Sequence, residues 1–267
     1  MALRIWFQST VEIASYHSYR QALEAQFVLA APEVEVALHG VPEGIWGGLS
    51  PSQVMHAPYA NHKILSDVLF EQLRRAEREG FDAFVLGSFT EPWLRELRSL
   101  TDLPVVSTAE AAVHVACSVA HQFALVTMNV ENEWFQRVNM QARRLDGRIS
   151  GIYVVRPEAT EREIDSLFTD PSAYLARFAE VARSAIAQCA DAIIPSEGLV
   201  ATVVARSGLK EIDGVPIVDP IAAAVLYAEM LAKLHRRTGL RPGRRWHYAK
   251  PTAAVQAFID GKRRGIG

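Results

Sequence analysis

Short apolar runs alternate along the chain with longer stretches in which apolar residues recur every three to four positions. That is the pattern of strands in a parallel sheet, each followed by a covering helix. Residues 3–7 read as a first strand, 12–29 as a helix and 34–38 as a second strand. A segment rich in Gly and Pro, 40–58, then breaks the rhythm and carries Trp46; a loop of that length usually covers or shapes a site. Helical spacing returns over 59–79 and closes on Gly80, a residue suited to a C-cap. A strand from Asp82, a strand at 104–107 and a helix at 109–120 follow. The rhythm then restarts: strand 123–127, helix 131–144, strand 149–155, helix 171–189, a strand from Asp191, strand 215–219, helix 220–235 and a looser tail over 238–267.

The restart contains an internal echo. Asp82-Ala83-Phe84-Val85-Leu86-Gly87-Ser88-Phe89 and Asp191-Ala192-Ile193-Ile194-Pro195-Ser196-Glu197-Gly198 are both apolar strands that deliver a hydroxyl to a polar turn. In open parallel sheets the carboxyl edge is where ligands bind. The expected fold is therefore α/β, with two pseudo-symmetric flavodoxin-like or Rossmann-like lobes, each holding a mainly parallel four-stranded sheet, and a cleft between them. Residues 1–107 plus 219–267 form the expected first lobe and 108–218 the second, with the 220–235 helix packing back on the first. Right-handed crossovers put all strand ends on one edge, so Ser9, Ser88, Thr127 and Ser196 are expected to converge.

Composition narrows the function classes. A chain of 267 residues with 49% hydrophobic content can bury a full core, and its net charge of -2 carries no electrostatic footprint of a nucleic-acid binder. The one dense basic cluster, Arg236, Arg237, Arg241, Arg244 and Arg245, reads as a solvated helix end or loop, with phosphate or anion binding as the alternative. Cys117 and Cys189 sit in apolar helical stretches as small hydrophobes rather than nucleophiles. Neither a leader peptide nor a membrane-length apolar run is visible, so the expected address is the cytoplasm. His56 and His62 are too loosely spaced for a zinc site, and no glycine loop cradles a phosphate, so neither metal nor cofactor is expected.

The candidate chemistry lies at the two turns. Ser88 and Ser196 can hold an anionic oxygen or simply cap the helices that follow; covalent catalysis would need a neighbouring base, and no Gly-x-Ser-x-Gly elbow is present. Glu91 and Glu197, one per turn, can divide general acid and base roles if burial separates their pKa values, although Glu91-Pro92 also suits a helix start. Gln8, Ser9, Thr127 and Asn129 supply neutral groups for a carboxylate or amide ligand, with turn formation as the competing role. Trp46 can wall the cleft or pack in the core, and His56 can carry a proton or sit at the surface.

These motifs resemble the aspartate/glutamate/hydantoin racemase superfamily. Its members place a cysteine at the end of a strand in each lobe, within patterns like Gly-Cys-Phe-x-(Asp/Glu)-Pro and Gly-Cys-x-Gly. Here they read Gly87-Ser88-Phe89-Thr90-Glu91-Pro92 and Pro195-Ser196-Glu197-Gly198, with serine at both cysteine positions. The opening Arg4-Ile5-Trp6-Phe7-Gln8-Ser9 and the late Ala249-Lys250-Pro251 resemble a subgroup often labelled racemase-family or hydrogenase-expression proteins; no metal-ligand cluster in the chain supports the hydrogenase label. The resemblance implies a cofactor-independent enzyme, with a homodimer as a possible assembly. Superfamily racemases use two thiols as opposed acid and base, a task serine hydroxyls titrate too high to perform. The expectation is a cytoplasmic isomerase, lyase or C–N hydrolase acting on a small carboxylate, amide or cyclic imide by a thiol-free route. The alternative is a noncatalytic metabolite-binding or assembly protein on the same fold.

Overall fold

The computed structural model describes residues 2–264. In the first half of the chain, β1 (Leu3–Ser9), α1 (His17–Ala30), β2 (Val34–His39), α2 (Pro51–Met55), α3 (Pro58–Arg78), β3 (Ala83–Gly87), α4 (Leu94–Leu100) and β4 (Val105–Ser107) build a parallel sheet of order β2-β1-β3-β4. The helix α5 (Thr108–Val119) leads into β5 (Phe123–Thr127), α6 (Val130–Ala142), β6 (Ile149–Val154), α7 (Glu161–Ser166), α8 (Ser172–Ile186), β7 (Ala192–Pro195) and α9 (Gly198–Arg206). The second parallel sheet has order β6-β5-β7, the same sequence of neighbours as β2-β1-β3. A short hairpin of β8 (Glu211–Ile212) and β9 (Val215–Pro216) precedes α10 (Pro220–Thr238) and α11 (Ala253–Arg264).

Three expectations change. The second sheet has three strands, not four: Val215 and Pro216 are spent on the antiparallel hairpin, and only Ile217 bridges β7, pairing with Ile193. Proline, lacking an N–H, cannot extend a ladder there. The tail is not uniformly loose, since it includes α11. Within the 40–58 segment, α2 forms because Ser50 and Gln53 make a reciprocal capping box with Pro51 at the first helical position.

The pleat sorts the strand residues between two faces. Ile5, Phe7, Ala83 and Val85 of the first sheet and Ala124, Val126 and Ile193 of the second all enter one continuous core, completed by α1, α9 and α10. Trp6, Phe84 and Leu86 point the other way, onto α3 and α4, while Phe123, Leu125, Ala192 and Ile194 pack against α5. Helix α10 packs on β1, β3 and β4 as well as α1, α5 and α9. The lobes are thus fused by a shared apolar core, and their strand ends meet at a polar junction. None of the helices among the described residues is long and apolar enough to cross a membrane.

Candidate active site

The carboxyl ends of the two sheets face each other across a narrow cavity of about 30 Å³. The first lobe contributes Ser9 and Thr10 after β1, Tyr19 from α1, Ser52 from α2, and Gly87 to Thr90 after β3. Opposite stand Asn132 from α6, Glu161 from α7, and Glu197 with Gly198 at the start of α9. That volume holds on the order of two water molecules.

Glu197 is the group most altered by this setting. It caps α9, accepting the Val200 N–H at 3.0 Å. Burial, and secondarily the charge of Glu161, push its carboxyl up to about 8 against the opposing backbone N–H groups of residues 198–200. It can therefore both hold and release a proton near neutral pH. Tyr19, fully buried, bonds with Ser9; burial, then the charge of Glu197, raises the phenol well above its ordinary value and keeps it protonated. Gly198 permits this approach: a Cβ there would lie 2.8 Å from the Tyr19 hydroxyl. Gly198→Ala should displace that ring within a packed core, lowering stability by about 1–3 kcal/mol and slowing any turnover; urea unfolding midpoints test this.

The 40–58 segment closes the cavity from above as a strap. Its Ser52 donates from the backbone N (3.0 Å) and from Oγ (2.8 Å) to the Glu161 carboxylate of the opposite lobe. Burial raises the Glu161 pKa, and these donors oppose the rise. Trp46 anchors the strap: it is buried in first-lobe packing and donates Nε1–H to the Thr10 carbonyl at 3.1 Å.

Of the sequence-predicted residues, Ser9, Ser88 and Glu197 line the cavity. Ser9 Oγ accepts the Val11 N–H at 3.3 Å, and Ser88 Oγ lies 2.9 Å from Thr90 Oγ1. Ser196 sits just behind the wall, its backbone N–H donated to Val126 O at 2.8 Å and its hydroxyl buried without a hydrogen-bond partner among the described residues. Glu91 is placed elsewhere. Its side chain is fully enclosed, ion-paired with Arg143 after α6 and hydrogen-bonded by the Ser107 hydroxyl. With Asn139 Nδ2 donating to Thr90 O at 2.8 Å, it straps the first turn to the second lobe.

The remaining candidates also turn away from the cavity wall. Gln8 shares the Trp6 face of β1, accepting Trp6 Nε1–H at 3.1 Å and donating to Ser9 O at 3.0 Å. Thr127 is buried beside Gln136 (3.5 Å), and Asn129 caps α6 while donating to Ala159 O at 3.1 Å. His56 ends α2 with Nδ1 3.4 Å from Ser52 O. Conversely, Tyr19, Ser52, Asn132 and Glu161 line the cavity without having stood out in the sequence. Glu161 lies in Glu161-Arg162-Glu163, which reads as a solvated helix start after the capping residue Thr160; only the cross-lobe bond to Ser52 gives it a site role.

The family model for Asp/Glu/hydantoin racemase matches residues 40–228. A hydantoin racemase from Paenarthrobacter aurescens is 31% identical over 195 residues, covering 69% of this chain and 74% of that protein. One from Pseudomonas sp. (strain NS671) is 28% identical over 176 residues, 64% of this chain and 66% of its own length. Among solved structures, the allantoin racemase from Klebsiella pneumoniae superposes with a TM-score of 0.73 at 23% identity, over 94% of each chain, which shows a shared fold. With a family match spanning most of its length and two duplicated lobes meeting at their strand ends, the chain belongs to the Asp/Glu/hydantoin racemase family.

Proposed function

We propose that the protein moves a proton on an acidic carbon of a small neutral cyclic amide or imide, by a route that uses no thiols. Membership of the racemase family supports an isomerase-type enzyme, and the names hydantoin racemase and allantoin racemase borne by its relatives and structural neighbours point to ring amides. The observation that carries the reading is Glu197: a carboxyl pushed up to about 8 on the wall of a narrow inter-lobe cavity lined by hydroxyls and no thiol among the described residues. Ionised Glu197 takes the proton from carbon, the C–H electron pair passes to the adjacent carbonyl oxygen, and Ser9 or Ser88 hydroxyls donate to that oxygen as its charge grows. Protonated Glu197 then returns the proton to carbon; inversion needs a water on the opposite face to give a proton to the carbon, the hydroxide so formed taking the proton held by Glu197.

The test is deuterium exchange at C5 of a 5-substituted hydantoin in D2O, followed by proton NMR and polarimetry. Wild type should exchange, and Glu197→Gln should slow exchange 10²–10⁴-fold, the range of a lost acid–base group. Exchange undiminished in the variant removes Glu197 from the chemistry. Exchange with inversion assigns an isomerase, whereas ring opening or bond cleavage assigns the hydrolase or lyase chemistry the same carboxyl can run. Serine at both thiol positions favours the binding-protein reading instead if hydantoin binds with neither exchange nor ring opening.

A further inference from the structure

A second cavity, of about 350 Å³, lies between β4, α5, α10 and the segment after α10, and it shares no lining residue with the inter-lobe cavity. Its size falls within the range of about 300–1,000 Å³ that small-ligand sites occupy. Val105, Leu231, Leu240 and Pro242 give it apolar walls. Residues 239–252, which supply one of those walls, form neither helix nor strand, yet they are firmly pinned. Arg244 donates to Asp102 Oδ1 at 2.7 Å and to the carbonyls of Arg98 and Tyr248 at 2.8 Å each. Lys250 Nζ reaches Asp102 Oδ2 at 2.7 Å, and Ser99 Oγ donates to Ala249 O at 2.6 Å. A wall fixed in this way makes the pocket preformed, which spares a ligand the cost of ordering it.

The lining selects the ligand by its hydrogen-bonding balance. Its carboxylate, Glu110, is already satisfied: Arg98 donates to both oxygens, and Arg143 lies 3.6 Å away. Donors are in surplus. Tyr248 Oη accepts from Arg98 Nη1 at 3.3 Å, and its own O–H has no acceptor among the described residues. His114 Nδ1 and the Tyr227 hydroxyl lie 3.2 Å apart, so whichever of the two donates, one donor of the pair is left over. In the basic cluster that stands out in the sequence, Arg236 pairs with Asp82 and Arg244 with Asp102, whereas Arg241 lines this pocket with no ion-pair partner among the described residues. Spare donors beside an uncompensated cation match a ligand that brings acceptors and negative charge, and the apolar walls match an apolar body behind them.

We infer that this pocket is a second ligand site, taking a small carboxylate with an aromatic or compact apolar body, its carboxylate held by Arg241 and the Tyr248 hydroxyl. The site is independent of proton transfer in the inter-lobe cavity and goes beyond it.

Calorimetric titration of the full-length protein with phenylacetate, its neutral isostere phenylacetamide, and acetate tests the site. Wild type should bind phenylacetate roughly tenfold tighter than either, because the charged hydrogen bonds and the apolar body are both needed. Arg241→Gln changes an exposed side chain that holds no other part of the fold, and it should weaken phenylacetate binding by roughly tenfold. Tyr248→Phe should weaken it as well. Bound phenylacetate should slow amide hydrogen exchange over residues 240–248 and leave 49–57, beside the inter-lobe cavity, unchanged; an excess of hydantoin should not displace it. No saturable phenylacetate binding, equal affinity for phenylacetamide, unchanged affinity in Arg241→Gln, or displacement by hydantoin with protection over 49–57 overturns the inference.

Discussion

Glu197→Gln is expected to abolish most turnover while making the protein more stable at neutral and alkaline pH. The two effects share one cause. In the folded protein burial lifts the carboxyl from 4.5 to about 8, whereas in the unfolded chain it titrates near its ordinary value. Below about pH 4.5 both states hold the proton and the group has no effect on the balance. Between about 4.5 and 8 the unfolded state gives up its proton and the folded state keeps it, so wild-type stability falls as pH rises, levelling off above 8. A shift of that size is linked to roughly 5 kcal/mol, since each pKa unit corresponds to about 1.4 kcal/mol. Glutamine holds the same shape without the titration, so the variant should melt higher than wild type at pH 8 and close to it at pH 4.5. Thermal melts at the two pH values check the linkage. A variant that melts lower at pH 8 shows that Glu197 is ionised and structural, which also removes it as a proton carrier.

The parts of this architecture carried by periodicity were legible in the chain. The alternation within β1, β3, β5 and β7 set both the strands and the faces they bury, and the repeated strand-turn pattern announced two lobes of like topology. The site was legible only where a residue stood at a strand end. Ser9, Ser88 and Glu197 line the cavity, as expected of residues on the carboxyl edges. Gln8 and Thr127 did not reach it, because the pleat aims a strand's side chains at the layers on either side, and both are held there by buried partners. Trp46 fits cleft or core by its sequence alone, and the structure buries it in first-lobe packing. Tyr19, Asn132 and Glu161 escaped notice for a different reason: they lie on helices, where a polar residue at the start or on one face looks solvated until the opposite lobe is docked onto it. A pairing such as Ser52 with Glu161, separated by 109 positions, leaves no local pattern.

Glu91 lies off the cavity wall as one half of a buried ion pair, and its partner gives the second large effect. Arg143→Met should lower stability by about 3–5 kcal/mol, the cost of leaving one member of a buried ion pair uncompensated. Glu91 is fully enclosed, Ser107 already donates to its other oxygen, and Arg98, paired with the neighbouring Glu110, would have to leave that partner to replace Arg143. Without Arg143 the buried carboxyl takes up a proton more readily. The variant's deficit should therefore be largest at neutral pH and shrink as pH falls and Glu91 becomes neutral. Adding Glu91→Gln to Arg143→Met removes the stranded charge and should restore part of the loss; urea unfolding of both variants and the double variant at pH 7 and pH 4.5 measures each term. Because this pair joins the two lobes outside the cavity wall, the double variant should keep its deuterium-exchange rate within a few-fold. A loss matching that of Glu197→Gln would place Glu91 back in the chemistry.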